Sequence, residues 1–223
     1  MNRITVFYGV LILVYGFTAF AGEPAAPPLK ILALGDSYTI GESVAAKDRF
    51  PVKLAELLRA GGEPAADPVI IARTGWTTRA LIDAIAAEKP VGTFEIVTLL
   101  IGVNNQFRGR DEKEYRTEFV LLLQEALKFA GQSANRVIVV SIPDWGATPF
   151  ARGRDSAKIA GEIDRFNQIN KEESEKAKVK YVEITEHSRQ ARTDATLIAA
   201  DGLHPSTKMY AHWAKSVFEA LKK

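Results

Sequence analysis

The sequence predicts a single α/β domain, a three-layer α/β/α sandwich around a five-stranded parallel sheet. Three observations predict it. Five short apolar runs recur along the chain, mostly unbroken rather than alternating, as strands covered on both faces of a parallel sheet require. Between them lie stretches with apolar residues three and four apart, the stripe of a helix with one buried face. Strand and helix alternate from end to end, which calls for right-handed crossovers that set helices on both sides of the sheet.

The elements follow in order. Strands are expected over 29–34, 69–72 and 95–101. A helix then carries Tyr115, Phe119, Leu122, Ala126 and Phe129 on one face. It opens on Asp111 with Glu114 three positions on, a capping pattern, and ends at Gly131. The fourth strand covers 136–142, and Ile159, Ile163, Phe166 and Ile169 mark the helix after it. The fifth strand covers 179–184, and a last helix starts near Ser206, just after Pro205.

Ahead of this domain, Met1-Asn2-Arg3 leads into an apolar run over 4–20, the layout of an export leader. Gly9, Gly16 and Thr18 dilute the run, and Ala19-Phe20-Ala21 offers a peptidase site. A cleaved signal peptide over 1–21 is therefore expected, followed by a Pro/Ala linker over 22–28 and the domain over 29–223. The alternative is an uncleaved N-terminal membrane anchor. An exported protein, periplasmic or secreted, is expected. Cleavage leaves about 200 residues, enough for one domain and short for two. Lys and Arg number 29 against 27 Asp and Glu, a net charge of +2 that announces no nucleic-acid partner. A 47% hydrophobic and 25% charged composition excludes a disordered or multi-spanning chain. With Cys at zero, a disulfide framework, a thiolate nucleophile and a Cys-ligated metal are excluded.

In an open parallel sheet, chemistry gathers beyond the carboxyl ends of the strands. Gly35-Asp36-Ser37-Tyr38-Thr39 follows the first strand, Arg73-Thr74-Gly75-Trp76 the second, and Gly102-Val103-Asn104-Asn105 the third. Asp201-Gly202-Leu203-His204-Pro205 comes before the last helix. Serine is a poor nucleophile at neutral pH and needs a base, which His204 supplies if Asp201 holds its tautomer. The Ser37 and Gly75 N–H groups with the Asn104 amide offer donors for a developing oxyanion. Of the other histidines, His212 sits in the last helix beside Trp213 and reads as packed or surface, and His187 reads as a loop or cap residue.

These blocks resemble the SGNH or GDSL-type hydrolases across nearly the whole chain from Leu29 onward. The resemblance implies Ser37 as nucleophile, Gly75 and Asn104 in the oxyanion hole, and Asp201 with His204 completing the triad. It further implies a flavodoxin-like sheet, no metal or cofactor, and hydrolysis of small-molecule carboxylic esters or thioesters through an acyl-enzyme. Tyr38 stands where the family's name has Leu, and Asn105 where Asp is common. Gly75 is also what an ordinary turn after a strand would show.

No Gly-x-Ser-x-Gly elbow, nucleotide-binding glycine loop or His-Glu-x-x-His is present, which leaves the α/β-hydrolase fold, nucleotide chemistry and zinc hydrolysis unsupported. Two rivals to hydrolysis use the same scaffold: transfer of the acyl group to a carbohydrate hydroxyl, and a catalytically inactive exported binding protein. Trp145 and Phe150, after the fourth strand, serve either as substrate-binding aromatics over the cleft or as a lid packed on the core. Arg152 and Arg154 follow, either as solvated charges at a helix entrance or facing an anionic group.

Overall fold

In the computed structural model, Met1 and residues 27–222 are described; apart from these, the expected leader over 1–21 and linker over 22–28 lie outside the described residues. The chain runs β1 (Ile31–Asp36), α1 (Ser37–Ile40), α2 (Phe50–Ala60), β2 (Val69–Arg73), α3 (Thr78–Glu88), β3 (Ile96–Leu100), α4 (Val103–Phe107) and α5 (Glu112–Phe129). It continues β4 (Val137–Val140), α6 (Ser156–Lys176), β5 (Lys180–Val182), α7 (Thr185–Arg189) and α8 (Thr207–Leu221). The five strands form one parallel sheet in the order β2-β1-β3-β4-β5, the flavodoxin-like order.

Local chemistry sets the ends of these elements. Thr77, Asp111, Asp155 and Ser206 cap α3, α5, α6 and α8 by accepting from a backbone N–H in the first turn. α2 starts instead with a proline in its first turn. α2 and α8 pack together on one face of the sheet, and α3, α5 and α6 cover the other. β1, β3 and β4 are buried along their whole length, which is why they read as unbroken apolar runs. The predicted stripes are the buried faces: Tyr115, Phe119, Leu122 and Ala126 on α5, and Ile159, Ile163, Phe166 and Ile169 on α6.

The strands are trimmed where side chains compete for the backbone. Leu29 makes only an isolated bridge to Ala65, so β1 starts at Ile31. At its other end Gly35 and Asp36 stay paired with Ala72 and Arg73, so the expected turn residues are the end of the strand. β4 stops before Ile142 because that N–H is taken by Asn167 Oδ1 at 2.8 Å. β5 stops before Ile184, whose N–H goes to Ser141 Oγ at 2.8 Å. No helix among the described residues is long and apolar enough to cross a membrane.

Candidate active site

The sheet order reverses between β1 and β3, so the chain leaves these neighbouring strands in opposite directions and opens a crevice at their carboxyl ends. Ser37 comes directly off β1 and Asn104 comes off β3 at that crevice. Ser37, Tyr38, Thr74, Gly75, Val103, Asn104, Phe107, Trp145, Phe150, Leu203 and His204 line one cleft of about 170 Å³. Every residue expected at the site lines it except Asp201, which stands behind His204 and bonds to it.

The Asp201–His204 pair is held tightly. Asp201 Oδ2 lies 2.6 Å from His204 Nδ1 and accepts from Ser43 Oγ at 2.6 Å. Its Oδ1 accepts from the backbone N–H groups of Leu203 and His204, both at 2.9 Å. Burial opposes ionisation, but the bonds from Ser43, His204 and the two N–H groups outweigh it and hold the carboxyl well below the usual carboxylate range. An ionised carboxylate can only accept, so Nδ1 carries the proton and Nε2 is left as the basic nitrogen. The imidazole is almost fully buried and packs on the Tyr38 ring, with centroids 5.1 Å apart. Ser37 shares the cleft with His204, and no hydrogen bond joins the two among the described residues.

Asp36 lies between nucleophile and amide. Its Oδ1 accepts from Tyr38 N at 3.0 Å and caps α1, and its Oδ2 accepts from Asn104 Nδ2 at 3.3 Å. Burial pushes its pKa up to about 7 against those hydrogen bonds. Asn104 Nδ2 also donates to Trp76 O at 3.0 Å, so both amide hydrogens have protein acceptors. A neutral Asp36 accepts more weakly than a carboxylate, which loosens one of the two. Gly75 has φ of +81°, a conformation glycine adopts without strain, and its N–H has no protein acceptor among the described residues. Its carbonyl accepts from Arg108 Nη2 at 2.7 Å. Gly102, just before α4, has φ of +132°, and a Cβ there would lie 2.5 Å from the Tyr115 hydroxyl. Only glycine lets α4 start there.

Asn105 is buried and ties the third block to the second. Its Oδ1 accepts from Thr78 N at 3.0 Å, satisfying a first-turn donor of α3, and its Nδ2 donates to Thr78 Oγ1 at 2.7 Å. Thr78 Oγ1 in turn donates to Glu118 Oε2, and Arg79 Nε holds Glu118 Oε1 at 3.0 Å. The sequence reading noted Asn105 only for the carboxylate it lacks, and missed Thr78, Glu118 and Ser43 altogether. Its nearest clue was the cap-forming threonine pair at the start of α3.

Trp145 and Phe150 answer the lid question differently. Trp145 is buried, with Nε1 donating to Gln106 Oε1 at 2.7 Å, and lines the cleft. Phe150 is 42% exposed on the rim, beside Phe107 at 43%, which the sequence reading did not single out. The Phe150 N–H donates to Gly202 O at 2.9 Å, pinning this loop to the one that carries Asp201 and His204. His187 and His212 stack on each other with centroids 3.5 Å apart, and neither lines the cleft. Among the described residues no three His, Asp or Glu side chains converge as a metal-binding set.

Known proteins share this architecture. A family model described as the GDSL-like lipase/acylhydrolase family matches residues 33–212. No curated protein matches the sequence. Among solved structures the chain is similar to TesA, at 19% identity over 86% of this chain and 98% of that one, with a TM-score of 0.64. It is similar to the acetylxylan esterase Axe2 from Geobacillus stearothermophilus, at 21% identity over 87% and 94% of the two chains, TM-score 0.66. It is also similar to a lipase/acylhydrolase from Enterococcus faecalis, at 20% identity over 87% and 95%, TM-score 0.64. At such identities the likeness is one of fold.

Proposed function

The chain belongs to the GDSL-like lipase/acylhydrolase family and is thereby an ester hydrolase, and from that premise we propose that it cleaves carboxylic esters or thioesters through an acyl-enzyme on Ser37. The observation that carries this reading is the saturated Asp201 carboxylate fixing His204 in the cleft that Ser37 lines. Ser37 Oγ attacks the acyl carbon while its proton passes to His204 Nε2, and Asp201 stabilises the imidazolium that forms. The oxyanion is met by the Gly75 and Ser37 N–H groups and by an Asn104 hydrogen withdrawn from Asp36. Collapse breaks the ester bond, with the alcohol or thiol taking the proton from His204. Water then adds to the acyl-enzyme, giving its proton to the same nitrogen, and the acid leaves as Ser37 regains its hydrogen. Trp145 and Phe150 provide the apolar wall for the substrate. The leader-like residues 1–21 support an exported, periplasmic or secreted enzyme, which fractionation of the producing cells would test.

Ser37→Ala tests the mechanism. Turnover of para-nitrophenyl esters should fall by on the order of a thousandfold or more, with the thermal midpoint nearly unchanged. A phosphonate should label the wild type at Ser37. Hydrolysis surviving in the folded variant would overturn the assignment.

A further inference from the structure

We propose that the rim of the cleft is an anion-recognising subsite centred on Arg154, so that the preferred ester carries a carboxylate or phosphate group. This rests on the ester-hydrolase reading above and names the substrate class of that same site. The Arg154 Cζ lies 5.5 Å from the centroid of Phe107, 5.3 Å from Trp145 and 5.4 Å from Phe150. Those are the three aromatic rings of the cleft wall that also pack on one another, with centroids 5.2, 6.2 and 6.0 Å apart. The platform is fixed from behind, Trp145 by Gln106 and Phe150 by Gly202. A guanidinium set against three rings loses rotamer freedom, while its planar fork of N–H donors stays available at its edge.

That fork has no hydrogen-bond or ion-pair partner among the described residues. Several other arginines here are neutralised, Arg116 by Glu172 and Glu173 and Arg189 by Asp144, Asp164 and Glu186. Arg154 forms no ion pair among the described residues, and three carboxylates next to it in sequence or behind the cleft-lining residues are engaged elsewhere. Asp155 caps α6 through Lys158 N, Asp201 holds His204, and Glu42 accepts from Thr74. Arg108, next to Phe107, spends one donor on the Gly75 carbonyl and pairs with no carboxylate among the described residues, adding a second positive charge beside the oxyanion glycine. A preorganised, unneutralised fork next to an apolar wall is the chemistry that recognises a carboxylate or phosphate bidentately.

Two matched pairs of esters test this and tell which side of the ester carries the anion. Para-nitrophenyl hemiglutarate against para-nitrophenyl pentanoate places the charge on the acyl side. Meta-acetoxybenzoate against meta-acetoxybenzamide places it on the alcohol side. In one pair the anionic member should be favoured in kcat/KM by on the order of tenfold, mainly through KM, and the preference should shrink between about 20 mM and about 0.5 M salt. Arg154→Gln should collapse that ratio towards one, and Arg154→Lys should retain part of it, keeping the charge without the fork. Equal kcat/KM within both pairs, or a preference that survives Arg154→Gln, overturns the subsite while leaving the hydrolase reading intact. No turnover of any of the four esters, with no phosphonate labelling of Ser37, counts against the hydrolase reading and the subsite together.

Discussion

Asn105 spends both ends of its side-chain amide on one residue, and that gives a chain of hydrogen bonds a direction: Asn105 donates to Thr78, and Thr78 donates to Glu118. Asn105→Asp therefore does more than add the carboxylate common in the family. It removes the donor and sets two carboxylates on a hydroxyl with a single hydrogen, in a buried site. The variant should lose about 2–3 kcal/mol of stability and on the order of tenfold in kcat, because the loop bearing Gly75 and Trp76 hangs on this link. Adding Glu118→Gln reverses the chain, with the new amide donating to Thr78 and Thr78 donating to the new carboxylate, while the amide oxygen still accepts from Arg79. The double variant should recover most of both losses. Thermal melts and kcat of the two single variants and the double decide it, and a double variant no better than Asn105→Asp refutes the link. Nothing near Asn105 in the sequence points to this, since Thr78 is 27 residues away and Glu118 is 40 residues beyond Thr78.

At the scale of elements, the active histidine depends on how α8 starts. Ser206 accepts from Met209 N at 3.4 Å and donates to Thr196 O at 2.7 Å, and a bridge between Ile198 and Pro205 closes the same loop. Ser206→Ala should cost about 1–2 kcal/mol, lowering the thermal midpoint by roughly 2–6 °C, and reduce kcat only severalfold because the Asp201–His204 bonds remain. An unchanged midpoint would show that the cap contributes nothing. Helix starts of this kind were readable beforehand: Asp111 and Ser206 were picked out from residue type and position, and both cap. Strand ends were not, because Asn167 and Ser141 reach the ends of β4 and β5 from distant segments and take N–H groups that the apolar pattern assigned to the ladder.

For the molecule as a whole, Asp36 links the site to stability. Its carboxyl is fully buried and titrates near 7 in the folded state against 3.8 as the unperturbed value. Between those values the folded protein holds a proton that the unfolded chain has lost, so this group's contribution is full below about pH 4 and is lost as pH rises to about 7. Wild type should therefore lose stability relative to Asp36→Asn across that window, on the order of 4 kcal/mol in total. The readout is the slope of the difference, since the substitution also shifts the offset by setting two amide donors face to face at Asn104. Parallel denaturant curves at pH 4.5 and 8 with a constant difference would remove Asp36 from this role. By itself the sequence determined the class of sheet, its five strands, the stripes of α5 and α6, and the blocks holding Ser37, Gly75, Asn104 and His204. These are visible because periodicity, capping and turn chemistry act between residues a few positions apart. The order β2-β1-β3 that opens the crevice, the Thr78–Glu118 anchor, the Ser43 bond to Asp201 and the packing of Phe107 on Trp145 were decided only by the tertiary structure. Each joins segments far apart in the chain, and such pairings are selected by the fit of whole faces, which leaves no local pattern to read.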